Sequence, residues 1–178
     1  MTTPLARALR TVRANIVPFS AAYPGDCTVA GSYQVRALPG HANGANVGWT
    51  TGFWPGMLWL AYELEGDEAY KTAGLRELER FAVRIDGLSD VETHDLGFLY
   101  TLSAAAPWRN VPEMRAEARR VALAAADHLM TRFLEPVGII QAWGNLGDPS
   151  QCGRTIIDSL MNLPLLRWAS GVTGDRRY

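Results

Sequence analysis

Residues 58–70 read LWLAYELEGDEAY. An apolar helix comes first. Gly66 then stands where a helix closes in the left-handed conformation, Asp67 where the next helix needs its N-cap, and Tyr70 opens that helix. Residues 165–178, LLRWASGVTGDRRY, repeat the order: apolar helix, Gly174, Asp175, Tyr178. Working outward from these two stretches, the chain resolves into helices of two kinds. A first helix spans roughly 4–17, with Leu5, Leu9, Val12 and Ile16 at helical spacing. A loop rich in Gly, Pro and Asn follows, from about Tyr23 to Gly48. The second helix starts near Pro55 and ends at Gly66, and the third runs from Asp67 to about Arg84. LGFLYTLSAAA (96–106) forms the fourth, Pro112 to about Arg132 the fifth, and TIIDSLMNLPLLRWAS (155–170) the sixth. The second, fourth and sixth are apolar almost all round, as in helices buried on both sides. The third and fifth are amphipathic and rich in Arg and Glu. Buried and surface helices in alternation are the pattern of helical hairpins stacked about a common axis. No segment sustains a two-residue alternation, so the expectation is an all-α fold without a sheet. Asp175 has only three residues after it, too few for a helix. The reading is therefore of about three hairpins and a truncated ring.

Composition narrows the function classes. The 178 residues carry 17 basic and 18 acidic side chains, a net charge of −1 with no block of one sign. This argues against nucleic acid as a partner. The apolar stretch from Phe53 to Tyr62 is too short to span a bilayer, so no membrane partner is expected. The N-terminal residues lack the continuous apolar core of a secretory signal. Cys27 and Cys152 lie far apart and form no CxxC, so a reducing cytoplasm is the expected compartment and a metal or disulfide framework is not.

Two aspartates stand out. Asp158 lies at the start of the sixth helix among Ile156, Ile157, Leu160 and Met161, on a narrow polar stripe with Thr155, Ser159 and Asn162. A carboxylate in that setting needs a partner, a proton or a water-filled cavity, and could serve as a general acid or base facing a pocket. The helix dipole and free N–H groups also favour an aspartate there without any chemistry. Asp95 opens the fourth helix directly after His94. It is either an N-cap or the second carboxylate of a site, and His94 either a structural histidine or part of that site. Paired carboxylates are the usual equipment for acid–base work on sugars. Among six tryptophans, Trp59 and Trp168 fall inside helices and suit the core. Trp49, Trp54 and Trp143 lie in or beside Gly-rich loops, where a flat aromatic face can stack on a sugar ring or simply tuck onto the core. Gln141 and Asn145 flank Trp143 with the uncharged hydrogen-bonding groups that sugar hydroxyls require.

Four strings in order, GWTTGFWPGMLWLAYELEGDEAY, THDLGFLYTLSA, GIIQAWG and GRTIIDSLMNLPLLRWAS followed by VTGD, resemble the unsaturated glucuronyl hydrolases of glycoside hydrolase family 88. The resemblance covers nearly the whole chain. It implies an (α/α)6 barrel of six hairpins, of which residues 1–178 would be the N-terminal three, with the second half absent. It also implies removal of a 4,5-unsaturated uronic acid from the non-reducing end of lyase-generated oligosaccharides, by hydration of the C4=C5 double bond. On this likeness Asp158 protonates C4 and activates the water that adds at C5. Asp95 binds ring hydroxyls and positions the unsaturated ring. His94, Trp49 and Trp143 line the substrate site, with Trp54 a further member, and no metal or organic cofactor takes part. Half a barrel would expose apolar helix faces along an open edge. Self-association or a complementing C-terminal half would cover them. Two other readings compete: a non-catalytic carbohydrate-binding or interaction module shaped as a half toroid, and a related unsaturated rhamnogalacturonyl hydrolase. THDLGF together with GRTIIDSLMN favours the glucuronyl branch.

Overall fold

A computed structural model describes residues 3–178. Helix α1 (Pro4–Asn15) starts where the Thr3 hydroxyl accepts from Ala6 N–H. It leads to an antiparallel hairpin of β1 (Pro24–Val29) and β2 (Ser32–Val35). Helices α2 (Phe53–Glu65) and α3 (Glu68–Asp86) follow. Next come α4 (Leu96–Tyr100), a π-helical turn (Thr101–Ala105) and α5 (Ala106–Asn110) as one interrupted rod. Helix α6 (Arg115–Met130) leads through the short strands β3 (Phe133–Leu134) and β4 (Ile139–Ile140) to a 3-10 turn (Ile157–Asn162) and α7 (Leu163–Thr173).

The caps fall where the two echoed stretches put them. Gly66 and Gly174 close α2 and α7 in the left-handed region at φ 67° and 75°, where a Cβ would be strained. Asp67 accepts from Ala69 N–H and Asp175 from Arg177 N–H, each two residues on. The tyrosines do matching work: Tyr70 Oη donates to Glu65 at 2.9 Å, and Tyr178 Oη to Asp127 at 2.6 Å. Helices α2, the α4–α5 rod and α7 form an inner layer, and α3 and α6 lie outside it. Leu58, Leu78, Phe81, Leu99, Leu129 and Leu165 are fully buried between the two layers.

Three details depart from the sequence reading. The two hairpins were not expected. Strands β1 and β2 are exposed along almost their whole length, so no buried face imposes a two-residue alternation. Their loop, Ala30–Gly31, has φ of 50° and 77°, the primed turn that matches strand twist. Strands β3 and β4 are two residues each, too short for a period. The fourth helix is not continuous. Pro107 offers no N–H to the carbonyl four residues back and its ring crowds that carbonyl, so the turn before it widens, with Ala106 N–H donating to Thr101 O. The sixth helix likewise begins later. Pro164 occupies its first turn, and the preceding residues wind as a 3-10 turn.

The inner helices are also not buried all round. Phe53, Met57, Leu60 and Leu64, at helical spacing on α2, are exposed, as are Ile157, Leu160, Met161 and Leu163. The setting read as enclosing Asp158 thus turns its apolar side chains outward. Phe53, Met57, Gly97, Phe98 and Met161 line an apolar cavity of about 210 Å³ along this face. Accessible surface totals 9732 Å², against roughly 8,500 Å² from the scaling for a compact monomer of this mass.

Candidate active site

Two close backbone approaches assemble one end of the inner layer. A Cβ on Gly52, in the turn before α2, would overlap Phe98 O and lie 2.8 Å from Leu99 Cα. A Cβ on Gly97 would overlap the backbone of Asn162 and lie 2.7 Å from its carbonyl oxygen. Glycine at both positions lets the 50–52 turn, α4 and the 157–162 turn meet at backbone distance. Asn162 locks the contact: it is 2% exposed, and its Oδ1 accepts from Phe98 N–H at 3.2 Å.

The result is a cluster of Asp95, His94 and Asp158, each offering one atom within 4.8 Å of the others. His94 is buried. Its Nε2 lies 3.1 Å from Asp95 Oδ1 and 3.7 Å from Asp158 Oδ1, and its Nδ1 lies 3.3 Å from Ser159 Oγ. Asp95 stands at the N-cap position of α4 but makes no capping bond with its side chain. Its Oδ2 accepts instead from Thr93 Oγ1 at 2.8 Å. Asp158 Oδ1 is buried and accepts no hydrogen bond, while the residue keeps 38% side-chain exposure. A carboxylate oxygen without a partner beside an open edge is available to a bound atom. One imidazole nitrogen and two carboxylate oxygens are also a donor set that could ligate a divalent ion.

Burial pushes the Asp95 carboxyl up, but hydrogen bonds from His94 and Thr93 and the charge of Arg132 outweigh it and hold Asp95 below the usual carboxylate range. A folded-state value below the unfolded one contributes stability that is present above about pH 4 and is lost as pH falls through the folded value. The Tm difference between wild type and Asp95→Asn should therefore be larger at pH 6 than at pH 3. A gap that is constant across this range would show that Asp95 is not held as an ion.

The tryptophans separate. Trp49 is 46% exposed and rests edge-on against Phe53 and Phe98, with centroids 5.8 and 5.2 Å away. Its loop is fixed from behind. Gly48 N–H donates to Asp90 Oδ2 at 2.6 Å, and Gly48 O accepts from the buried Arg84, which also pairs with Asp90 at 2.8 Å. Trp143 is 47% exposed, on the loop between β4 and the Asp158 turn. Trp54 is a core residue instead, 3% exposed and edge-on to Phe19 at 6.1 Å. It starts α2 on the helix side that faces inward, and no sugar face is left on it. Gln141 is likewise consumed. It is fully buried, its Nε2 donating to Trp143 O and its Oε1 accepting from Gly153 N–H, so it staples the loop rather than meeting a ligand. Arg132, read only as the end of a helix, is buried and donates to Gln141 O at 2.8 Å. Nothing in its local sequence signals a charge felt by Asp95.

An inner helical layer wrapped by an outer one, with two carboxylates and an imidazole gathered at one end of the inner layer, is the arrangement of the α/α-barrel class. Comparison with known proteins narrows this. The chain is 52% identical over 133 residues to an unsaturated glucuronyl hydrolase of Bacillus sp. (strain GL1), covering 75% of this chain and 35% of that protein. It is 40% identical over 178 residues to an unsaturated chondroitin disaccharide hydrolase of Streptococcus pyogenes serotype M1, covering 100% and 42%. The solved unsaturated glucuronyl hydrolase of Streptococcus agalactiae superposes with a TM-score of 0.86 at 40% identity, over 97% of this chain and 41% of that one. No family model matches. The chain belongs to the unsaturated glucuronyl hydrolase family and spans about two-fifths of the length of the relatives it matches. Among the described residues no helix is long and apolar enough to cross a membrane.

Proposed function

We propose that this chain carries the acid–base half of an unsaturated uronyl hydrolase site. It acts on 4,5-unsaturated uronic acid at the non-reducing end of glycosaminoglycan-type oligosaccharides. The observation that carries the reading is the partnerless Asp158 Oδ1, buried 3.7 Å from His94 Nε2 and facing the same imidazole as Asp95. Asp158 as an acid delivers a proton to C4 of the enol ether. As a base it then takes one from the water adding at C5, and the hemiketal opens to expel the remaining sugar. Asp95, held ionised, receives hydrogen bonds from the ring hydroxyls, and Trp49 and Trp143 offer flat faces to the sugars. Relatives described as acting on unsaturated chondroitin disaccharide, and one described as responsible for glycosaminoglycan degradation, support the substrate class.

In this reading residues 1–178 supply three hairpins of a six-hairpin toroid, and the exposed stripe on α2 and the 157–163 segment is the surface that further hairpins, or another copy, would cover. The two exposed free thiols, Cys27 and Cys152, suit a reducing compartment such as the cytoplasm. The test is to add an unsaturated chondroitin disaccharide and follow the near-ultraviolet absorbance of its conjugated double bond. Loss of absorbance supports hydration. Binding of saturated and unsaturated disaccharides alike, with no loss, would overturn it in favour of a carbohydrate-binding module.

A further inference from the structure

We infer that Ser159 is a positioning residue that orients His94, so that the ring directs an N–H from Nε2 at the two carboxylates. The inference rests on the proposed function for the work it assigns to those carboxylates. Its geometry stands independently. His94 is 5% exposed and its two nitrogens face different chemistry. Nε2 meets only acceptors, Asp95 Oδ1 at 3.1 Å and Asp158 Oδ1 at 3.7 Å. Nδ1 meets the Ser159 hydroxyl at 3.3 Å.

That hydroxyl can donate one hydrogen and accept on its lone pairs. Ile156 N–H already points at Ser159 Oγ, at 3.5 Å, occupying an acceptor position and leaving the hydrogen for Nδ1. An Nδ1 that accepts from Ser159 carries no proton of its own, so the ring's proton sits on Nε2, the nitrogen facing the carboxylates. Asp158 and Ser159 are consecutive on one 3-10 turn, and Asn162 anchors the end of that turn to Phe98 N–H. A single rigid turn therefore delivers both the reacting carboxylate and the group that sets the imidazole beside it. Asp95 takes the N–H at hydrogen-bond distance, while Asp158 Oδ1, out of that range, is left free for the proton that goes to the substrate.

Nitrogen-15 NMR of the histidine-labelled chain at neutral pH, without substrate, tests this directly. For His94 the expected result is an unprotonated, hydrogen-bond-accepting Nδ1 and a protonated Nε2. Ser159→Ala should remove the hydrogen-bond shift at Nδ1, and Ser159→Thr, which keeps the hydroxyl, should retain it. Under the proposed activity, Ser159→Ala should also lower kcat by about threefold to tenfold, the equivalent of one neutral hydrogen bond, with KM little changed and Ser159→Thr restoring the rate. A proton on Nδ1 in the wild type, or an Nδ1 signal that does not move in Ser159→Ala, would overturn the inference. Because the spectrum needs no turnover, it fails or succeeds apart from the functional reading.

Discussion

Asp158→Asn should remove turnover while leaving the fold as it is. Asparagine has nearly the same shape but can neither give up a carboxyl proton nor take one from water. General acid–base groups contribute about 10²–10⁴-fold to rate, and here one group is asked to act in both directions. The expected loss is therefore at the upper end of that range, measured on the form of the protein that turns over the unsaturated disaccharide. The disaccharide's Kd should stay within a few-fold, because the substitution leaves the tryptophan faces and Asp95 in place. Stability should hardly change: Asp158 Oδ1 accepts no hydrogen bond and the side chain is 38% exposed. An Asn variant that hydrates at the wild-type rate would take Asp158 out of the mechanism, whatever the rest of the site does.

Gly97→Ala should damage both stability and the site, for one steric reason. The added Cβ would overlap the Asn162 backbone, which belongs to the turn carrying Asp158. Neither partner is a flexible side-chain tip, so α4 and the turn must move apart. Overpacking of this kind costs about 1–3 kcal/mol, and for a chain of this size each kcal/mol lowers Tm by about 2–4 °C. The same separation shifts Asp158 relative to His94, and a displacement of about 1 Å at a reacting group costs on the order of 10²-fold in rate. Gly171 is the control. It is also helical, in α7, but has open space around it. There alanine should be neutral or stabilising by up to about 1 kcal/mol. Equal effects at the two positions would show that the close approach at Gly97 is not what seats the turn.

The residues differ in how far they could be read in advance. The polar stripe Thr155, Asp158, Ser159 and Asn162 was visible as spacing, and Ser159 and Asn162 do meet His94 and Phe98. Asp95 could be read equally as an N-cap or as a site carboxylate. In the fold its side chain bonds Thr93 and His94 and makes no capping bond. Trp49 and Trp54 share one Gly-rich neighbourhood in sequence, yet one lies half open against Phe53 and Phe98 and the other in the core against Phe19.

What the amino-acid order determined by itself is the alternation of inner and outer helices, the close of α2 and α7 and the start of α3. Caps, prolines and helical periodicity act over a few residues, so their physics is written locally: Gly66 and Asp67 behave as their types demand wherever the chain goes. Tertiary structure alone decided that Ser159 reaches His94 across 65 positions, that Asn162 reaches Phe98 across 64, and that Ile157 and Leu160 face outward rather than in. Those outcomes depend on how closely two backbones approach at Gly52 and Gly97, a quantity set by the packing of whole layers and by no short stretch of residues.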